Sequence, residues 1–186
     1  MGKYIRIVGG QYRRTPISVV DVPGLRPTPD RVRETLFNWL NHLWQGDFGN
    51  KQVLDLFAGS GALGFEAASR GVMHVQMVES DPSAVAALRK LRDKLAAKSV
   101  RIHAGDAKHT LSRLENTRFD LICLDPPFGA SWFPGLLNDI YPLLSKQGLV
   151  YAETERALTP PEGYIALRQG RAGAVHYQLF QRDEMP

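Results

Sequence analysis

Hydrophobic and polar positions along this chain change period several times, and each change marks an element. The first stretch, "YIRIVGGQYRRTPISVV", has two β-rich runs around Gly9-Gly10, the pattern of a hairpin. Strict alternation there puts Arg6 on the face opposite Ile5 and Ile7. In "RPTPDRVRETLFNWLNHLW" the apolar residues recur at helical spacing instead. Val32, Leu36, Leu40 and Leu43 form a stripe with Trp39 and Trp44 beside it, while Arg31 and Arg33 fall off it. Thr28 suits the N-cap, Pro29 the first helical position, and Asp30 the positive end of the helix dipole. The glycine-rich "QGDFGNK" then breaks the pattern. It divides the chain into an N-terminal hairpin-and-helix extension, residues 1–46, and a main domain, residues 47–186.

Beyond that seam the alternation is regular. The strands are "QVLDLFA", "HVQMVES", "VRIHAGD", "FDLICLD" and "GLVYAETE". The helices between them are "ALGFEAASRG", "DPSAVAALRKLRDKLAAK" (capped by Asp81), "AKHTLSRLEN" and residues 132–144. Strand–helix repeats of this kind predict right-handed βαβ units and an α/β, Rossmann-like, mostly parallel sheet with helices on both faces. The end departs from the rule. "YIALRQGRAGAVHYQLFQR" reads as two strands joined by a glycine turn with no helix between, so one strand runs antiparallel.

Composition narrows the class. The 186 residues are 44% hydrophobic, enough for a sizeable core. No apolar run reaches the roughly 18 residues of a membrane span, and the N-terminus lacks the apolar stretch and cleavage site of a signal peptide, which points to the cytoplasm. The single cysteine, Cys123, allows no internal disulfide and lies in an apolar strand, the setting of a buried structural thiol. Net charge is +4, and residues 1–40 carry all of it, with seven basic residues against three acidic. Such a local basic cluster is the footprint of a nucleic-acid contact, or simply of a solvated surface.

Ligands of open α/β sheets bind outside the carboxyl ends of the strands, so the residues there are the candidates. "DLFAGSGALG" places Gly59, Gly61 and Gly64 as G-x-G-x-x-G directly after the first core strand, with Asp55 and Phe57 beside the loop. The next three strands end at Glu79-Ser80, Asp106-Ala107 and Asp125. Each feature alone could be a tight turn or a helix cap; together they describe a site. A dinucleotide would use the glycines for pyrophosphate and Glu79 for a ribose. An acid-lined cleft suits S-adenosylmethionine better, since that donor carries a sulfonium and an amine and no phosphate. Asp55 then receives its amino-acid end, Glu79 its ribose and Asp106 its adenine amine.

"DPPF", Asp125 to Phe128, matches the [N/D]-P-P-[F/Y/W] pattern of methyltransferases that act on planar amines. An exocyclic amine is a poor nucleophile because its lone pair is delocalised into the ring. The Asp125 carboxylate and a prolyl carbonyl, that of Pro126, accept its two N–H groups and free the lone pair. Pro126 and Pro127 hold those acceptors rigidly, and Phe128 stacks on the base. The alternative is a β-turn that ends a strand.

"RPTPDRVRETLFNWL" followed by "VLDLFAGSGALGFEAASRG", "VESD", "GDA" and "LDPPF" resembles the bacterial 16S rRNA (guanine(966)-N(2))-methyltransferase family, from "IRIVGGQYRR" to the final hairpin. The "RPTPDRVRE" segment is the specific part; the glycine loop is shared by many methyltransferases. The resemblance implies a class I S-adenosylmethionine-dependent fold with a seven-stranded sheet and a reversed last strand. It implies a guanine N2 of 16S rRNA as acceptor, in an assembled or partly assembled 30S subunit, and a monomeric enzyme is expected. Arg6, Arg13, Arg14, Arg26, Arg31 and Arg33 would contact phosphates, and Thr28 and Arg31 would fold over the site. Rival readings are an amino-methyltransferase of DNA adenine or protein glutamine, a small NAD-dependent dehydrogenase, and a non-catalytic RNA-binding module. The first two amine acceptors are usually served by Asn where this chain has Asp125. A dehydrogenase needs a Tyr/Lys or His set, and the five histidines are scattered. The intact DPPF argues against the last. No metal site is expected.

Overall fold

A computed structural model of the chain describes residues 3–19, 28–114, 116–127 and 131–183. The first two period-two runs pair as β1 (Lys3–Arg6) and β2 (Pro16–Val19), antiparallel, with Ile5 opposite Ile17 and Arg6 opposite Pro16. The long-period stripe becomes α1 (Asp30–Leu43), which buries Val32, Leu36, Phe37 and Leu40. Leu36 and Leu40 are fully enclosed, each worth about 1.5–3 kcal/mol of burial.

The remaining elements are β3 (Gln52–Asp55), α2 (Ala62–Ser69), β4 (His74–Glu79), α3 (Pro82–Leu95), β5 (Val100–Ala104), α4 (Ala107–Leu111), β6 (Phe119–Leu124), α5 (Gly135–Ile140), β7 (Leu144–Thr154), β8 (Tyr164–Ala172) and β9 (Val175–Arg182). β3 to β9 form one seven-stranded sheet in the order β5-β4-β3-β6-β7-β9-β8. β3 through β7 are parallel, and β9 runs antiparallel to both neighbours. The predicted α/β fold with a reversed last strand is therefore what the chain adopts.

Alternation along the strands sorts the core into two layers. Val53, Val75, Met77, Leu121, Cys123, Leu149 and Tyr151 meet α1, α2 and α3 on one face. Leu54, Val78, Ile122, Leu124, Val150 and Ala152 meet α4 and α5 on the other. Cys123 is a free, buried thiol, as its strand predicts. Ile7 and Ile17 of the hairpin belong to the first layer, so the N-terminal segment shares its core with the sheet.

Two local expectations fail for identifiable reasons. Thr28 does not cap α1. Pro29 takes the cap position, and the Thr28 hydroxyl instead donates to Glu153 Oε1 at 2.7 Å, since a buried carboxylate is the stronger acceptor. The helix expected over residues 132–144 is cut short. α5 ends at Ile140, a single 3₁₀ turn follows (Tyr141–Leu143), and β7 begins at Leu144. Pro142 has no N–H to extend the helix. Among the described residues no helix is long and apolar enough to cross a membrane.

Candidate active site

β3 and β6 are neighbours at the centre of the sheet, and the chain runs outward from them in opposite directions. The crevice above their carboxyl ends is the switch point of an open α/β sheet. The glycine loop after β3 and the Asp125 corner after β6 line it from the two sides. Gly61 has φ 81°, open to glycine at little cost, and a Cβ there would meet Leu88 Cδ2 at 2.5 Å. Gly64, in the first turn of α2, packs against Met77 and leaves room for its N–H to donate to Asp55 Oδ2 at 3.0 Å.

Several of the loop's donors are spent internally. The Gly61 N–H donates to the Ala58 carbonyl (2.6 Å), the Ala58 N–H to the Val78 carbonyl (2.9 Å), and the Gly59 N–H to Glu79 Oε2 (2.7 Å). A pyrophosphate would need such N–H groups free.

The acids differ in situation. Asp55 is buried at the end of β3, and desolvation pushes it up to about 7 against the pull of the Gly64 N–H, with Glu79 and Glu153 adding to the rise. Glu79 accepts from Gly59 through Oε2 and from Ser80 and Asp81 (2.8 Å each) through Oε1. That leaves about one of its four acceptor positions open. Asp106 caps α4 through the His109 N–H (3.1 Å), as Asp81 caps α3 through Ser83 and Ala84 (2.9 Å each). Ala107 is buried beside it and Ser80 is exposed. Asp125 is half-buried. Desolvation, then the charges of Glu153 and Asp55, hold its carboxyl well above the usual carboxylate range. Pro126 is buried and Pro127 exposed; Phe128 lies outside the described residues. On the α4 side, Phe57 meets Trp132 edge-on at 5.0 Å, and Lys108 Nζ stands 5.2 Å from the Trp132 ring. The Trp132 indole N–H is buried without an acceptor among the described residues.

A family model described as "Conserved hypothetical protein 95" matches residues 5–181. The chain belongs to this family. It is 40% identical to ribosomal RNA small subunit methyltransferase D of Escherichia coli K12, over 96% of this chain and 90% of that relative. It is 35% identical to the protein of the same name in Haemophilus influenzae, over 95% and 93%. The solved structure of the Escherichia coli protein yhhF superposes with a TM-score of 0.84 at 38% identity, covering 98% of this chain and all of that one.

In this member of the conserved hypothetical protein 95 family the basic residues separate into three groups. Arg13 and Arg14 are exposed and have no ion pair among the described residues. Their loop docks on the end of α2, where the Gln11 N–H donates to the Ser69 carbonyl (2.7 Å) and the Tyr12 N–H to Ser69 Oγ (2.8 Å). It therefore sits about 12 Å, one eight-residue helix, from the glycine loop. Arg6 is exposed but paired to Asp30 at 3.0 Å, and Arg31 is exposed at the start of α1. Arg26 lies outside the described residues. Arg33 corrects the expectation. It is fully buried, donates through Nε to the Thr28 carbonyl (3.2 Å) and pairs with Asp30 and with Glu66 (3.4 Å), so it faces no phosphate. Its helical position lies off the apolar stripe but on the side where α2 presents a buried carboxylate.

Glu153 is the residue that reading the strand ends missed. It lies at the end of β7, is 4% exposed, and accepts from Thr28 Oγ1 (2.7 Å) and Tyr151 OH (2.9 Å). The signal was in "GLVYAETE": the rule that collected acids after four strands applies to the fifth.

Proposed function

We propose that this protein transfers a methyl group from S-adenosylmethionine to the exocyclic N2 of a guanine in 16S rRNA, the guanine 966 of the methyltransferase family that the sequence resembles, presented on an assembled or partly assembled 30S subunit. The observation that carries this reading is the Asp125-Pro126-Pro127 corner at the carboxyl end of β6, directly beside the glycine loop of β3. The relatives named as small-subunit rRNA methyltransferases support the substrate.

The donor set fits the cofactor. Asp55, Glu79, Asp106 and Asp125 bring carboxyl oxygens to a crevice where the Ala58, Gly59, Gly61 and Gly64 N–H groups are already engaged. That combination repels a diphosphate and favours a sulfonium with an ammonium. Glu79 would hold a ribose hydroxyl on its remaining acceptor position, Asp106 the adenine amine through the oxygen that does not cap α4, and Asp55 the charge of the amino-acid end. When bound, the cofactor supplies an electrophilic methyl carbon.

The chain's own residues do the rest. Asp125 and the Pro126 carbonyl accept the two N–H groups of the target amine, drawing the nitrogen toward tetrahedral geometry. The prolines fix these acceptors, so little reorganisation remains in the transition state. Phe128 stacks on the base, and Phe57 with Trp132 keeps water from the α4 side. Residues 1–46 act as a basic extension of the catalytic domain at residues 47–186, and Arg6, Arg13, Arg14, Arg26 and Arg31 meet RNA phosphates. The enzyme works as a monomer in the cytoplasm.

Mass mapping of methylated nucleotides after incubation with labelled cofactor tests the reading, with naked 16S rRNA and 30S particles side by side. One N2-methylguanine is expected, with the particle the better substrate. Methylation of adenine or of a protein amide would overturn the reading. Reversing the charges of Arg13 and Arg14 is expected to raise KM for rRNA by at least tenfold at moderate salt while leaving cofactor affinity unchanged. An unchanged KM removes this loop from the RNA path.

A further inference from the structure

Glu153 is a buried carboxyl to which the reaction above gives no task. β6 and β7 are parallel with Leu124 opposite Ala152, so Asp125 and Glu153 follow at the same level. Alternation turns both toward the face of Cys123 and Tyr151, the face covered by α1. Two carboxyls in such a position do not both ionise without a large electrostatic cost; they titrate as a pair. Their partners decide which one holds the charge. Glu153 Oε1 receives the Thr28 and Tyr151 hydroxyls, and Arg33 stands on the same side. Asp125 has no side-chain hydrogen-bond donor among the described residues. Desolvation raises both carboxyls, and the hydroxyls that Glu153 accepts favour it as the ionised member and Asp125 as the protonated one.

We propose that Glu153 is the proton-accepting partner of Asp125, taking up through it the proton that the target amine releases on methylation. This rests on the function proposed above. The balance is simple. N2 gains the methyl carbon as the donor's carbon–sulfur bond breaks, with the bonding pair staying on sulfur. The N2 proton passes to the free oxygen of Asp125, and the proton Asp125 already carried passes to Glu153. Both carboxyls end neutral, one proton richer as a pair, and no other co-reactant is needed. A protonated Asp125 still offers its carbonyl oxygen to an N–H, so the hydrogen bond that activates the amine is kept.

The titratable and charged groups around Glu153 among the described residues are Cys123 on β6 and Asp125 just past its end, Asp55 on β3, Tyr151 on its own strand, Tyr177 opposite it on β9, and Arg33 on α1. Among the described residues only Arg33 in this set is cationic, and together with the Thr28 and Tyr151 hydroxyls it favours the ionised form of Glu153. Thr28 ties the device to the N-terminal segment. Its carbonyl accepts from Arg33, and Arg33 also pairs with Glu66, on which the Val8 and Gly9 N–H groups converge.

The test has two parts. In the first, carboxyl carbons of the cofactor-free protein are followed by ¹³C NMR against pH. The wild type should show two coupled midpoints above the ordinary carboxylate range, and Glu153→Gln should lower the Asp125 midpoint by about 1–3 units. In the second, single-turnover transfer to 30S particles is followed against pH. Glu153→Gln should lower the transfer rate about 10²-fold with KM for RNA and cofactor affinity unchanged, and Glu153→Asp should restore part of it. Tyr151→Phe, a milder change to the fold, removes a hydrogen bond from ionised Glu153. It should raise the Glu153 midpoint and move the acid limb of the rate profile to higher pH. An Asp125 midpoint that ignores Glu153→Gln, or a folded Glu153→Gln protein with wild-type rate and profile, overturns the relay alone. A coupled pair in a wild-type protein that methylates no rRNA guanine overturns the proposed function and the relay with it.

Discussion

Replacing Asp125 by alanine is expected to lower kcat for rRNA methylation by about 10²–10³-fold or more, with the cofactor dissociation constant changed little. The carboxyl is one of two acceptors that free the amine lone pair, and an alanine methyl accepts nothing. Loss of activity should come with a gain in stability. Burial and the facing charge of Glu153 raise Asp125 above its unfolded value. An acid raised in this way favours the fold fully below its unfolded pKa, and that contribution is lost as pH rises through the folded pKa. The wild type should therefore lose stability relative to Asp125→Ala between about pH 4, the ordinary carboxylate value, and neutral pH. Urea unfolding at pH 5 and pH 8 checks the sign, and methyl incorporation from labelled donor checks the rate. A variant that turns over like the wild type would remove Asp125 from the chemistry.

Replacing Glu66 by alanine should cost the fold about 3–5 kcal/mol, the largest stability effect expected of a single side chain here. Glu66 is fully buried in α2. It accepts the Val8 N–H at 2.7 Å and the Gly9 N–H at 2.8 Å, and it pairs with Arg33 at 3.4 Å and with Arg70 at 3.1 Å. Removing it takes one of two carboxylate partners from the fully buried Arg33 guanidinium, which keeps Asp30, and strands two backbone donors at once. The hairpin loop bearing Arg13 and Arg14 is docked by this carboxylate and by Ser69, so rRNA affinity should fall as well, while cofactor affinity holds in the protein that remains folded. Calorimetric melting and RNA binding at low temperature separate the two effects. A melting temperature within a degree or two of wild type would show that the ion pairs are dispensable.

These two residues also mark how far the sequence could be read. The strand–helix alternation after "QGDFGNK" was legible because the central strands β3, β6 and β7 are buried on both faces and each helix keeps its own period; the sheet and its reversed strand follow from that. Gly61 and Asp125 were legible because a glycine loop and an acid before two prolines have few local uses at a strand end. Glu66 and Arg33 were not. A charged residue in a helix reads as solvent-facing, and only the packing of α1 on α2 makes them partners. Glu153 carried a usable signal that was not extended to the fifth strand. Thr28 followed capping statistics toward its own helix, but a carboxylate 125 residues away bound its hydroxyl.

The sequence by itself determined the order of elements, the doubly covered sheet and the strand ends at which ligands meet, because periodicity and turn chemistry act over a few residues. Tertiary structure alone decided which charges are buried, which acids face one another across β6 and β7, and on which side of the molecule the basic loop sits. Those depend on contacts between residues far apart in the chain, and the electrostatics of a carboxyl is set by what is packed against it rather than by its neighbours in sequence.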